Sequence, residues 1–220
     1  MELHTILFDM DGTLTDNGLG IKNTLRAVLE ESDYPPLPEE ILNQFIGPPL
    51  DVSFKEYLAC SEEEAIRLRF RYRELYQSIG LNEVVIYEGI PELLTALDNA
   101  GYSLGVASSK SEDSVSHQLA LLGLSPHFKT ICGAEQNALG HTKKAVMARA
   151  LSNIPDACPN ASVMIGDRDI DLLAAAELEI LGIGVLYGYG SFEELSAAPH
   201  QSLCQTPTEI LNTIINMSGE

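Results

Sequence analysis

The stretch "ILFDMDGTLTD", Ile6 to Asp16, decides the reading of the chain. Three apolar positions that favour a buried strand, Ile6 to Phe8, end abruptly in Asp9 and Asp11, set on either side of Met10. Successive side chains of a strand point to opposite faces, so the two carboxylates share a face while Met10 points away. Two like charges that close repel, and each loses hydration if the strand is buried. The pattern makes sense if the two groups do different work, if a turn begun by Gly12 separates their surroundings, and if positive charge lies beside them. A hard cation such as Mg²⁺, which takes oxygen ligands from carboxylates and phosphate, and a cationic side chain both meet that need.

Outward from this stretch, short apolar runs at 102–107 ("YSLGVA"), 161–166 ("ASVMIG") and 180–186 ("ILGIGVL") read as further strands, with a weaker one at 129–132. Near-continuous apolar strands suit a parallel sheet covered on both faces. Helical patterns lie between them at 91–99, 112–122, 142–152, 168–177 and 207–216. The last opens with Thr206 as cap, Pro207 in the first turn and Glu209 closing a capping box. The alternation predicts an α/β fold, a doubly wound and mainly parallel sheet.

Residues 17–85 break the alternation. Ile21, Leu25, Val28 and Leu29 form one helical stripe, Ile41, Leu42 and Phe45 a second after Pro38, and Ala65, Leu68, Tyr72 and Leu75 a third behind a capping box from Ser61 to Glu64. This block is expected to be a small all-helical domain inserted into a core made of residues 1–16 and 86–220.

Composition narrows the function. With 32 acidic against 13 basic residues, the formal net charge of −19 argues against nucleic-acid binding, which needs clustered Lys and Arg. No apolar run approaches the roughly 18–20 residues that span a bilayer, and the acidic start "MELHTILFDM" does not resemble an export signal, so no membrane partner and a cytoplasmic location are expected. Cys60, Cys132, Cys158 and Cys204 lie far apart without a C-x-x-C pair, which suggests reduced thiols and neither a zinc site nor a disulfide framework. The five histidines show no metal-ligand spacing, and His141 is a candidate only for indirect support of a nearby lysine. Nothing in the pattern specifies an oligomeric state.

In an open α/β sheet, ligands bind beyond the carboxyl ends of the strands. There the sequence places Asp9 and Asp11, then Ser108, Ser109 and Lys110, then Asp167, Asp169 and Asp171, with Lys143 and Lys144 opening the helix after the weak strand. A lone D-x-D reads as a solvated turn. Combined with G-D-x-x-x-D at another strand end and a lysine between them, it reads as a site.

Together "DMDGTLTD", "VASSK", the later lysine and "GDRDID" resemble the four motifs of the haloacid dehalogenase superfamily of aspartate-based phosphatases. "FIGPPL", "YEGIPELL" and "GVLYGYGSFEEL" are similar to its phosphoglycolate phosphatase-like branch, and the helical insertion resembles that branch's cap. The resemblance implies that Asp9 is the nucleophile forming an aspartyl-phosphate and Asp11 the general acid and then base. It implies that Ser108, with Ser109 beside it, and Lys143 bind the substrate phosphate. Asp167 then holds Mg²⁺ with Asp9 and the main-chain carbonyl of Asp11, supported by Asp171. Ser109 also reads as a cap of the following helix, Lys110 and Asp169 as solvated residues of helix starts, and Lys143 is preferred to Lys144. In the cap, Gly47 with Pro48 and Pro49 is read as a stiff exposed turn, and Phe45 to Leu50, with Phe45, Gly47 and Pro48 foremost, as a substrate contact. The expected activity is Mg²⁺-dependent hydrolysis of a small-molecule phosphate monoester such as phosphoglycolate or a nucleoside monophosphate. A sugar phosphomutase, and a phospho-accepting signalling domain, are the rival readings.

Overall fold

The structure, a computed structural model, describes residues 3–134 and 142–218; His141 lies outside them. The chain divides into two compact units, Met1–Thr15 with Ile86–Glu220, and Asp16–Val85. It begins with β1 (Thr5–Phe8) and the two-residue β2 (Thr15–Asp16), then runs through four helices, α1 (Gly18–Glu31), α2 (Glu39–Gln44), α3 (Leu50–Leu58) and α4 (Glu62–Ser78). The short β3 (Val85–Ile86) pairs with β2 where the chain leaves and re-enters the larger unit. From there helices and strands alternate: α5 (Ile90–Asn99), β4 (Ser103–Ser111), α6 (Glu112–Leu121), β5 (Phe128–Ala134), α7 (Lys143–Asn153), β6 (Ser162–Gly166), α8 (Asp169–Glu177), β7 (Leu181–Val185), α9 (Phe192–Ala197), β8 (Ser202–Cys204) and α10 (Pro207–Ser218).

Six strands form one parallel sheet in the order β5-β4-β1-β6-β7-β8. Every residue of β1 is buried, because it pairs with β4 on one edge and β6 on the other and is covered on both faces. Ile6, Phe8 and Met10 pack with Leu93, Leu94 and Leu97 of α5 and Ile210 and Ile214 of α10. Leu7 packs instead with Met147 and Ala150 of α7 and Ala175 of α8. Each such fully buried side chain contributes roughly 1.5–3 kcal/mol of apolar burial. After β1 the chain builds outward through β4 and β5, then returns to lay β6 against the other edge of β1. The order therefore reverses beside β1, and a crevice is expected beyond its carboxyl end.

One strand is longer than its apolar core. The expected strand at 102–107 continues to Ser111, because pairing with β5 resumes at Ser111 and Ala134 after an irregularity. Ser109 therefore lies in the strand and does not cap the next helix; Ser111 is the residue before α6. At α10, Thr206 Oγ1 accepts from the Glu209 N–H at 3.2 Å and the Glu209 carboxylate accepts from the Gln205 N–H at 2.7 Å, a close relative of the expected box.

The helical unit has its own interior of Leu25, Val28, Leu29, Leu42, Phe54, Leu68 and Tyr72. Ser61 caps α4 by accepting from the Glu64 N–H at 3.2 Å, but the Glu64 carboxylate takes Arg67 at 2.8 and 2.6 Å, so the expected box is half formed. The exposed turn expected at "FIGPPL" is also corrected. Phe45 is 2% exposed, with its ring 5.3 Å from that of Phe54 and 5.5 Å from that of Tyr57, and Ile46 is fully buried. Gly47, at φ +107, and Pro48 are half-buried. The four cysteines are unbridged, and among the described residues no helix is long and apolar enough to cross a membrane.

Candidate active site

The carboxyl ends of β1, β4 and β6 and the start of α7 bring one set of polar side chains together. Asp9 follows β1, and its N–H donates to the Ile165 carbonyl at 2.8 Å, which continues the pairing with β6. Its neighbour Met10 stays in the apolar core, and the Met10 carbonyl accepts from the N–H groups of Leu14 and Thr15, both at 3.0 Å. That tight turn needs Gly12 at φ +93, where a Cβ would overlap the Asp167 carboxylate.

Each of the paired aspartates has its own lysine. Lys143, at the start of α7, places Nζ 2.5 Å from Asp9 Oδ1 and 2.7 Å from Asp171 Oδ1. Burial by itself would lower the Lys143 pKa, but the charges and hydrogen bonds of Asp171 and Asp9 raise it above the ordinary lysine range. Lys144 points elsewhere, to Glu177 at 3.1 Å. Asp11 is met by Lys110 Nζ at 3.3 Å, and the same nitrogen donates to Gln118 Oε1 at 2.6 Å. The solvated reading of Lys110 is thus overturned, since its side chain is only 10% exposed.

Asp9, Asp167 and Asp171 are buried and offer carboxylate oxygens that all lie within 4.8 Å of one another. Asp167, straight after β6, accepts from the Tyr189 N–H on Oδ2 at 2.8 Å, while its buried Oδ1 has no hydrogen-bond partner. Burial raises the Asp167 pKa well above the ordinary carboxylate range, Asp9 and Asp171 add to the rise, and the Tyr189 N–H and Arg168 oppose it. Asp171 accepts from the Arg168 N–H at 3.2 Å; burial raises its pKa to about 6 against the pull of Lys143. An orphaned buried carboxylate oxygen in a trio of acids is what a hard divalent cation would satisfy, so these residues fit Mg²⁺. The side chain of Asp11 is not one of this trio.

Ser108 is buried at the end of the apolar part of β4, and its Oγ accepts from the Lys110 N–H at 3.3 Å; Ser109 next to it is half-buried. Asp169 is not a solvated acid of a helix start. It is half-buried, its N–H donates to Glu194 Oε1 at 3.0 Å, and burial followed by the Glu194 charge raises its pKa. Phe45, Gly47 and Pro48 belong to the helical unit. Three participants escaped the sequence reading: Lys110 as partner of Asp11, Gln118 behind it, and the Tyr187–Gly190 segment that grips Asp167. The signal for the last lay in "GYG", since a Cβ at Gly188 would overlap Asp167.

Residues 6–185 match the family model of haloacid dehalogenase-like hydrolases. The chain is 38% identical over 201 residues to a 5'-nucleotidase of Pseudomonas aeruginosa, covering 90% of each protein. It is 35% identical over 186 residues to the tyrosine-protein kinase PtkA of Mycobacterium tuberculosis, covering 84% of this chain and 62% of PtkA. The crystal structure of a predicted phosphatase from Clostridium acetobutylicum superposes with a TM-score of 0.94 at 33% identity, over 98% of this chain and all of that one. This chain belongs to the haloacid dehalogenase-like hydrolases. Within that family it is an enzyme of the phosphatase type.

Proposed function

We propose that the protein hydrolyses a small-molecule phosphate monoester through a phosphoryl group carried on Asp9, with Mg²⁺ as cofactor. The observation that carries this reading is the buried Asp9 at the end of β1, 2.5 Å from a buried lysine and within the trio of acids. An Asp9 carboxylate oxygen bonds to phosphorus as the bond from phosphorus to the ester oxygen breaks. Asp11, entering protonated, gives its proton to that oxygen and the alcohol leaves. Water then attacks the aspartyl-phosphate and passes a proton to Asp11, the bond between phosphorus and Asp9 breaks, and inorganic phosphate departs. Lys143 and Ser108, with Ser109, hold the phosphoryl oxygens throughout, which makes the rate gain mostly positioning and charge stabilisation. Asp9, Asp167 and the Asp11 carbonyl, with Asp171 in support, would hold Mg²⁺, which would supply positive charge to the phosphoryl group.

A nucleoside 5'-monophosphate is the first substrate to test, because a relative of 38% identity is a 5'-nucleotidase; phosphoglycolate is the second. Selectivity is assigned to the helical unit through Gly47 and Pro48, next to Phe45, whose ring packs on Phe54. Phosphate release from a panel of nucleotides, phosphoglycolate and sugar phosphates, with Mg²⁺ or with chelator, is expected to require the metal and to favour one ester. Release that is indifferent to chelation would remove Mg²⁺ from the reading. The likeness to PtkA supports a second reading, transfer from Asp9 to an alcohol in place of water, which added alcohols that divert the phosphoryl group would reveal.

The acid trio also sets a dependence on pH. Asp167 and Asp171 titrate higher in the folded protein than in the unfolded chain, for Asp171 from 3.8 to about 6. Within that window the folded state binds more protons, so the contribution of these groups to stability falls as pH rises. Thermal melts in chelator at about pH 4.5 and about pH 7.5 should show this loss, and Mg²⁺ should reverse it at the higher pH. Asp167→Asn should flatten the profile; a variant that melts like the parent at both pH values would mean that the trio is not the source.

A further inference from the structure

Lys110 has no part in the reaction as written above, yet its side chain, 10% exposed, lies at the strand ends beside Asp11. Its Nζ donates to Asp11 Oδ1 and, at 2.6 Å, to Gln118 Oε1. Gln118 projects from α6 and is fully buried, so the lysine is anchored from behind by a neutral amide. The Lys110 ammonium also meets the Asp11 carboxylate, at 3.3 Å. The same residue's N–H donates to Ser108 Oγ at 3.3 Å, which engages an oxygen lone pair and leaves the hydroxyl proton for a phosphoryl oxygen.

We propose that Lys110, held by Gln118, is a positioning residue that fixes the Asp11 carboxyl group for proton transfer with the leaving oxygen. The inference rests on the phosphatase reading and deepens it. With Oδ1 tied to Lys110, the carboxyl group cannot turn about its Cβ–Cγ bond without breaking that contact. Its proton is then carried on Oδ2, moves to the ester oxygen as the bond from phosphorus to that oxygen breaks, and is replaced from the attacking water. Lys110 itself gains and loses no proton. Holding a proton donor in the reactive geometry is worth most where the leaving group needs the proton most.

Leaving-group dependence therefore tests it. A nucleoside 5'-monophosphate expels an alkoxide that must be protonated, whereas p-nitrophenyl phosphate expels a phenolate that needs little help. Single-turnover release of the leaving group, with Mg²⁺, is to be compared in the wild type, Lys110→Met, Gln118→Leu and Asp11→Asn. Lys110→Met should lose about 100-fold on the nucleotide and less than about threefold on the aryl ester, the same split as Asp11→Asn. Gln118→Leu should show the split in weaker form, and adding Lys110→Met to Asp11→Asn should cost little more. Equal losses on both esters in Lys110→Met and Gln118→Leu, or unchanged rates in both, overturn the assignment of Lys110 while the phosphatase reading stands. A wild type inert on both esters and on phosphoglycolate overturns that reading and the role of Lys110 with it.

Discussion

Asp9→Asn is expected to lower phosphate release by on the order of 10⁴-fold or more and to leave the protein folded. The amide has no anionic oxygen to attack phosphorus, so no covalent intermediate forms at residue 9. The fold should tolerate the change for identifiable reasons. The backbone N–H of residue 9 still donates to the Ile165 carbonyl, and Lys143 keeps Asp171 at 2.7 Å. One negative charge also leaves a cluster in which Asp9 contributes to the raised pKa values of both Asp167 and Asp171. Steady-state phosphate release beside a thermal melt separates the two effects. Activity within about tenfold of the parent, in protein with an unaltered melt, would falsify the assignment of Asp9 as nucleophile.

Why Asp9 could be found in the sequence, and Lys110 could not be placed, follows from how each is encoded. The sheet was legible because strands buried on both faces must be apolar throughout, and the acids stand out where those runs stop: Phe8 to Asp9, and Ile165 through Gly166 to Asp167. The helix of Lys143 was legible in its pattern, and the geometry separates Lys143, buried between two carboxylates, from Lys144 on the surface beside Glu177. The continuation of β4 was hidden because Ser109, Lys110 and Ser111 have poor strand propensity, and it shows only in the renewed pairing of Ser111 with Ala134. That continuation is what carries Lys110 to Asp11, 99 positions away in the chain.

Local rules failed where a long-range or competing partner won. Glu64 could have closed a capping box with Ser61, but Arg67 one turn later takes its carboxylate. "FIGPPL" reads as an exposed turn from its glycine and prolines, yet Phe45 finds Phe54 and Tyr57 from α3, a helix that turn chemistry alone does not announce. The haloacid dehalogenase-like motifs carried the site better than periodicity could, since they specify residues at four separate points that the parallel sheet then gathers.

Lys143→Met should damage the enzyme far more than Lys144→Met, and in a way that distinguishes chemistry from mere loss of structure. Lys143 is the cation between Asp9 and Asp171; its removal leaves buried carboxylates facing one another, and breaking a buried pair in this way costs about 3–5 kcal/mol. Lys144 and Glu177 are 46% and 61% exposed, where an ion pair contributes about 0–1 kcal/mol, so Lys144→Met should leave both melting and turnover almost unchanged. On turnover, loss of the charge that Lys143 is proposed to present to the phosphoryl oxygens should cost about 100- to 1000-fold. Mg²⁺ affinity should move the opposite way. Three carboxylates and one ammonium carry a formal charge of −3 + 1 = −2, and without the ammonium −3, so a divalent cation is drawn in more strongly and restores more stability to the variant than to the parent. Calorimetric titration with Mg²⁺ alongside the rate measurement reads both. A variant that lost turnover and metal affinity together would point to a collapsed site, whereas tighter metal binding with slower turnover identifies Lys143 as a cation that the phosphoryl group, and not the fold alone, requires.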